Sequence, residues 1–139
     1  MNKICTSIEQ SKKLIALGID VNTADMYYDC NSDDIQGKPE VAVETVWSKD
    51  IPAWSLGALI ELLPNKIVVN NEKYFLHFTK NKVEYVGIVT WDGQKSISAE
   101  SDNLLDACYN IIVKLKTMET IYLLFQKKII KTSMYSREY

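Results

Sequence analysis

The chain has 139 residues, which suits one folded domain, and its 47% hydrophobic and 24% charged residues are typical of a globular protein. These proportions exclude a disordered or collagen-like chain. No apolar run is long enough to cross a bilayer and the N-terminus lacks an apolar signal stretch, so we expect a cytoplasmic protein without membrane contact.

The first predicted helix begins at a capping box. Thr6 and Glu9 stand at the spacing at which the hydroxyl accepts the Glu9 amide while the carboxylate reaches back to the cap. Gly18 is placed to end this helix in a left-handed conformation. Residues 29–40 then contain many turn formers and predict a loop; their acidic oxygens lack the regular spacing of a calcium loop, so we expect no metal there.

A second helix is predicted to open near Asp50, because the proline at position 52 is tolerated in a first helical turn, and to stop at Pro64. Its apolar face consists of Leu56, Leu59, Ile60 and Leu63. Before it, alternation over residues 41–47 permits a short strand.

Strand signals dominate residues 67–99. Asp92-Gly93 stands between two strand-like runs and predicts a hairpin turn with Trp91 opposite Gln94. Alternation along the strands then predicts a core-facing set of Val86, Ile88, Ile97 and Ala99.

The preceding hairpin has two alternative registers. A three-residue loop at 80–82 adds Tyr74, Leu76 and Phe78 to the core side, whereas a two-residue loop adds Phe75 and His77. We prefer the first because it buries more apolar surface. Residues 67–69, closed by Asn70-Asn71, can add a fourth strand.

A helix capped by Ser101 or Asp102 follows the last strand, with Asp106 in its first turn. Its apolar stripe is formed by Leu104, Cys108, Ile111 and Leu115. Together these patterns predict an α+β domain over residues 1–116: N-terminal helices, a three- or four-stranded antiparallel β-meander, and a long C-terminal helix packed on one face.

The apolar stripe continues beyond residue 116 at Met118, Tyr122, Phe125 and Ile129, which is typical of a heptad repeat. Either the helix continues and its far half binds a second helix, in a homodimer or with another protein, or it breaks near Thr117. We therefore expect residues 117–139 to form a helical extension or a tail with a basic end.

Charge is divided unevenly along the chain. Residues 1–113 contain 10 Lys/Arg and 16 Asp/Glu, and residues 114–139 contain 6 Lys/Arg and 2 Asp/Glu. Neither part is extreme, so charge alone identifies no partner.

The second face of the predicted sheet is a candidate interaction site. Tyr85, Val89 and Trp91 share the face opposite Val86 and Ile88, and an uncovered apolar face marks a binding surface. The alternative, which we favour, is that the N-terminal helices cover this face in a three-layer domain. The candidate interaction residues are Tyr85, Trp91, Met118, Tyr122, Phe125 and Ile129.

The sequence contains no catalytic motif. His77 is the only histidine, and the scattered Cys5, Cys30 and Cys108 argue against both a disulfide framework and a zinc site. Cys108 lies on the apolar stripe and is expected to be buried. We expect no cofactor, no metal and no enzymatic activity.

Four phrases occur in the order typical of a group of small proteins. They begin at Thr6, Thr23, Ile51 and Ser101, and read TSIEQSKKL, TADM, IPAWSL and SDNLLDA. Over residues 4–116 the chain resembles small proteins encoded in Bacteroidales genomes, often among prophage-like or other mobile genes, and this resemblance implies no activity. A second resemblance, to HicB-type antitoxin domains, concerns only the order of a strand meander and a helix, and architecture does not determine function.

Two functions are consistent with these patterns. The first is a non-catalytic binding or adaptor protein that acts through protein contacts. The second is a nucleic-acid-associated regulator whose basic C-terminal tail contacts phosphate.

Overall fold

A computed structural model describes residues 3–29, 39–41, 50–91 and 93–119. Over these residues the chain forms three α-helices and two antiparallel sheets, which confirms the predicted α+β class with a β-meander and a C-terminal helix. None of the helices in these ranges is long and apolar enough to cross a membrane.

The elements follow the chain in a simple order. They are α1 (Ile8–Ala16), a 3-10 turn (Val21–Thr23), β1 (Met26–Tyr28), β2 (Glu40–Val41), β3 (Ile51–Ala53), α2 (Leu56–Leu62), β4 (Lys66–Val69), β5 (Glu72–Phe78), β6 (Lys82–Thr90), β7 (Gly93–Glu100) and α3 (residues 104–119). The first three strands form a small sheet of order β2-β1-β3, and the last four form a meander of order β4-β5-β6-β7.

Helix α1 is capped one residue later than predicted. Ser7, not Thr6, is the N-cap, and its capping box uses the side chain of Gln10 instead of Glu9. Thr6 is fully buried and its hydroxyl is used elsewhere in the fold. The predicted C-terminal cap is confirmed: Gly18 has a φ of 89°, and the amide of the following residue returns to the Leu14 carbonyl at 3.1 Å.

The predicted helix start at Asp50 is wrong. Ile51–Ala53 is a strand, paired antiparallel with β1, and α2 begins only after the N-cap Ser55. Pro52 fits this strand because β3 lies at the edge of the small sheet, where a missing amide interrupts no ladder.

The first two hairpins of the larger sheet have two-residue turns. Asn70 and Asn71 both have positive φ, 52° and 67°, as a type I′ turn requires, and the predicted fourth strand is confirmed. In the next hairpin Phe78 pairs with Val83, so the preferred three-residue loop is wrong. The two-residue alternative still leaves Tyr74, Leu76 and Phe78 on the core side, because the core side of β6 is then formed by Val83 and Tyr85.

The third hairpin also differs from the prediction. Thr90 pairs with Gly93, and a β-bulge between Val86 and Val89 shifts the register by one residue. The expected pairing of Ile88 with Ile97 is therefore wrong, and Tyr85 occupies that place. Ile97 and Ala99 do pack against the core, as predicted.

All three helices lie on the same face of the larger sheet. One core cluster joins α1, α2 and α3 to β5 and β6, through residues that include Leu14, Leu59, Ile111, Tyr74 and Val83. The expected three-layer arrangement is wrong, because the N-terminal helices do not cover the second face. A second, smaller hydrophobic cluster includes residues of the small sheet and contains Cys5, Met26, Tyr28 and Ala53.

Helix α3 is capped by neither Ser101 nor Asp102. The helix starts after Asn103, whose side-chain oxygen accepts the amide of Asp106 at 2.8 Å. It passes Thr117 without a break and continues to residue 119, where the described residues end. The predicted burial of Cys108 is confirmed, at 0% exposure.

Candidate interaction surface

The second face of the larger sheet, which we call the outer face, is accessible in the described structure. Phe75 lies directly opposite Val86 on this face and is 53% exposed. Val68, on the neighbouring strand, faces the same way and is 60% exposed. Side chains alternate along a strand, so the residues that fill the core on one face leave these apolar neighbours on the other.

The β6–β7 hairpin adds three more exposed apolar side chains. Ile88, Val89 and Trp91 are 69%, 68% and 95% exposed. Because β4 and β6 run in the same direction, this hairpin and the Asn70-Asn71 turn lie at one end of the sheet. We call the five residues Val68, Phe75, Ile88, Val89 and Trp91 the outer patch.

The bulge is the local cause of the exposure at Val89. A Cβ on Gly87 would lie 3.0 Å from the Tyr74 ring and 3.2 Å from the Lys95 carbonyl oxygen, so only glycine fits there without a shift. Because Tyr85 faces the core, unbroken alternation would send Val89 there as well. The extra residue of the bulge instead pairs Val89 with Gln94, on the outer face.

Charged groups lie beside and among the residues of the outer patch. Lys66 lies opposite Phe75, and Lys73 precedes it by two residues on the same strand and face. Further along, His77 pairs across the sheet with Glu84, which also forms an ion pair with Lys82 at 3.5 Å. The outer face thus combines exposed apolar side chains with charged groups of both signs, a composition typical of an interaction surface.

A second candidate surface, which is a groove, lies beside the last described turns of α3. An open groove of about 1120 Å³ is bounded by the turn after α1, the end of α2, the β4–β5 hairpin and α3. Leu115 and Met118 line it. Met118, one of the predicted interaction residues, is half-buried in this position.

The remaining predicted interaction residues fall into three groups. Tyr85 is fully buried, its hydroxyl donates to the Pro64 carbonyl at 2.7 Å, and burial raises its pKa to about 12; its predicted place on the surface is wrong. Trp91 is exposed, as predicted. Tyr122, Phe125 and Ile129 lie outside the described residues.

Sequence reasoning missed Phe75 and Ile88 as surface residues. The signal for Phe75 was present, since the two-residue loop places it beside Val86. Ile88 carried the same signal, because alternation from Val86 places it on the same face in that register.

The most extensive buried polar arrangement is structural, and we call it the Thr6 hub. The Thr6 hydroxyl accepts the Trp54 amide at 3.1 Å and lies 2.8 Å from the Ser11 hydroxyl, and the Thr6 carbonyl accepts the Tyr28 hydroxyl at 2.9 Å. Every buried side-chain polar atom in the described part of the chain has a partner. No group in the hub is left unpaired for a substrate or an ion.

The described residues contain no group of three or more His, Cys, Asp or Glu side chains that could hold a metal. Burial raises the pKa of the Cys108 thiol to about 11 and also raises that of Cys5, which keeps both thiols protonated and unreactive. His77 is exposed on β5. Of the thiols that the structure describes, the buried Cys5 and Cys108 therefore do not share a site with this imidazole.

Comparison of the chain with protein-family models, curated proteins and solved structures finds no match.

Proposed function

We propose that this protein is a non-catalytic binding protein that contacts another protein through the outer face of its larger sheet. The observation that carries the proposal is the outer patch: five large apolar side chains, each 53–95% exposed, on a sheet whose other face is fully used by three helices. Single exposed apolar residues are normal, but a group of this size on one surface is typical of a binding site.

The composition of the outer patch favours a protein partner. Phe75 and Trp91 offer large rigid contact areas, and Val68, Ile88 and Val89 extend the apolar surface around them. Aromatic residues at an apolar centre with a polar border are the usual anatomy of a protein interface. Lys66 and Glu84 supply polar groups beside the apolar residues, and Lys73 lies directly opposite Val68.

Site-specific photo-crosslinking tests this proposal. A benzophenone amino acid replaces Phe75 in one variant and the exposed Lys12 of α1 in a matched control, and each is irradiated in extract of the source cells. We expect discrete protein adducts from position 75 that disappear when Val89→Asp places a charge in the outer patch. Equal adducts from position 12, or adducts that survive Val89→Asp, would contradict the proposal.

A second candidate function, binding of single-stranded nucleic acid, is favoured by one observation. Exposed Phe75 lies between Lys66 and Lys73, so a base can stack on the ring while the ammonium groups contact phosphate. A titration with oligothymidine followed by tryptophan fluorescence tests it. Binding that weakens steeply as salt rises supports this function, and binding that is absent or insensitive to salt excludes it.

A further inference from the structure

The last strand of the larger sheet, β7, has one open edge. Hydrogen bonds fix which backbone groups face it: Ser101 donates to the Asn81 carbonyl at 3.1 Å, so the odd-numbered residues of β7 face β6. The Lys95 carbonyl, which lies next to Gly87 of β6, agrees with this assignment. The amides and carbonyls of Ser96, Ser98 and Glu100 therefore point to the open edge.

Among the described residues, no strand pairs with this edge of β7. The edge is eight residues long, Gly93–Glu100, and contains no proline, and the β-bulge lies on the neighbouring strand. Soluble proteins usually avoid a long open edge strand. They shorten it, place a proline in it or cover it with another segment. The opposite edge of the sheet, β4, has only four residues and follows Pro64 closely.

One side chain does reach the open edge of β7. Lys114 of α3 donates to the Ser98 carbonyl at 2.6 Å. Lysine side chains commonly protect edge strands from further pairing, and Lys114 occupies the carbonyl that a further strand would use. This protection is a single contact at Ser98, and the backbone amides and carbonyls of Ser96 and Glu100 take no part in it.

We propose that β7 pairs antiparallel with β7 of a second copy of this chain. The two-fold axis then lies between the two copies of Ile97. This register places outward-facing Ser96 opposite Ser98, Gln94 opposite Glu100, and Ile97 opposite its own copy. Amide meets carboxylate and apolar meets apolar, and like charges do not oppose each other. A shift of the axis to Ser96 would leave Glu100 opposite no residue of β7, so the Ile97 register makes fuller use of the strand.

The pairing joins two four-stranded sheets into one of eight strands. The two-fold axis is perpendicular to the sheet, so both outer faces lie on the same side and the two outer patches form parts of one larger surface. The pairing rests on the proposed function and extends it. The second copy is one protein partner, and the enlarged outer face remains available to bind another protein.

Sedimentation analysis of the full chain from micromolar to millimolar concentration tests the pairing. We expect a reversible monomer–dimer equilibrium that Ser96→Pro weakens by about 10-fold or more, because it removes an outward amide from each strand. Ser96→Thr, which keeps the amide, is the matched control and should leave the dissociation constant within about 2-fold. A monomer at every concentration overturns the proposal, as does a dimer that Ser96→Pro leaves unchanged while the variant stays folded.

Amide hydrogen exchange of the unmodified chain covers the case in which Ser96→Pro does not fold. The amides of Ser96 and Ser98 should exchange rapidly in dilute protein and become protected at high concentration, whereas those of Ile97 and Ala99, bonded to β6, should be protected in both. Protection of Ser96 and Ser98 that does not depend on concentration contradicts the pairing.

Lys114→Met distinguishes this interface from association through the outer patch. Loss of the competing donor in both copies should strengthen a β7 dimer by about 5-fold or more, because one hydrogen bond is released in each copy. Val89→Asp should instead abolish adducts with other proteins and leave the dimer intact. A dimer lost in Val89→Asp and unaffected by Lys114→Met overturns β7 pairing while leaving the proposed binding function in place.

Discussion

Thr6 shows how one small side chain can join distant parts of a fold. Its hydroxyl serves Trp54 and Ser11, and its carbonyl serves Tyr28, so the residue before α1 is fixed to both β1 and the end of β3. All of these groups are shielded from water, where an unpaired amide or hydroxyl is costly.

Replacement of Thr6 by valine is expected to destabilise the protein by about 1–3 kcal/mol, because the shape is kept but the Trp54 amide and the Ser11 hydroxyl lose their partner. The free energy of unfolding from urea titration measures the effect. Thr79→Val, at an exposed threonine with only a 3.4 Å contact to the Lys82 carbonyl, should change it by less than about 0.5 kcal/mol. Equal losses in both variants would show that the Thr6 hydroxyl has no special role.

Asp106 joins the N-terminal segment to α3. Its carboxylate accepts hydrogen bonds from Lys3 at 2.8 Å, Gln10 at 2.9 Å and Asn103 at 2.9 Å. Partial burial by itself would raise the pKa of Asp106, but the hydrogen bonds from these three residues and the charge of Lys3 outweigh it and lower the pKa below the ordinary 3.8.

The lowered pKa of Asp106 gives a pH dependence of definite sign. A carboxyl whose pKa is lower in the folded state stabilises the fold above its unfolded pKa of 3.8, and this contribution is lost as pH falls through the folded value. We therefore expect wild-type stability to decline below about pH 4 more steeply than that of Asp106→Asn. Asp102→Asn, at an exposed carboxylate just before α3, should retain the wild-type slope in urea titrations from neutral to acidic pH.

The β6–β7 hairpin shows why the presence of strands is easier to predict than their register. Alternation and the Asp92-Gly93 pair located both strands, and Ile97 and Ala99 face the core as expected. The turn lies one residue earlier than predicted, with Thr90 opposite Gly93, and the bulge adds a further shift. A register shift of one residue exchanges the two faces, and for this reason Tyr85 moved from the predicted surface to the core.

Gly87→Ala tests the origin of the bulge. The added methyl would lie 3.0 Å from the buried Tyr74 ring and 3.2 Å from the Lys95 carbonyl, and neither neighbour is a flexible chain end. We expect a loss of about 1–3 kcal/mol in the free energy of unfolding, typical of overpacking. Gly57→Ala, with its nearest atom 3.8 Å away on the exposed side of α2, should be neutral or stabilising. A neutral Gly87→Ala would show that Tyr74 moves freely.

Boundary signals were also read correctly in type but misplaced by a residue or more. The N-caps of α1 and α3 exist, but they are Ser7 and Asn103 because Thr6 is bonded into the core and the chain before α3 is still leaving the sheet. The strand at 51–53 could not be predicted from local sequence, since its partner β1 lies more than twenty residues away.

For the whole molecule, the two buried thiols offer a test of cooperative packing. Cys5 and Cys108 are 3% and 0% exposed and lie in the two separate core clusters. In a Cys30→Ser variant, we expect neither thiol to react with an aromatic disulfide reagent in native buffer, and both to react at the same rate when urea opens the fold. Earlier reaction of Cys5 would show that the small sheet opens independently of the larger one.

The candidate surface was the least predictable part of the molecule. Sequence patterns identified a sheet with an apolar second face, and Trp91 belongs to it, but the choice between a covered and an open face depends on how α1 and α2 pack. The apolar stripes of α1 and α2, which include Leu14 and Leu59, suit either face of the sheet equally well. Only tertiary packing places all three helices together and leaves the outer patch exposed.

The position of the Thr6 hub also has a consequence for the order of folding. The meander β4–β7 is built from neighbours in sequence joined by tight turns, so its formation requires little loop closure. The hub instead joins residues 48 positions apart, and Lys3 and Asp106 are separated by 103 positions. Contacts of such long range form slowly, so we expect the meander and α3 to fold first and the N-terminal segment to dock last. During synthesis, the segment that contains Thr6 would then leave the ribosome before the meander but reach its final position after it.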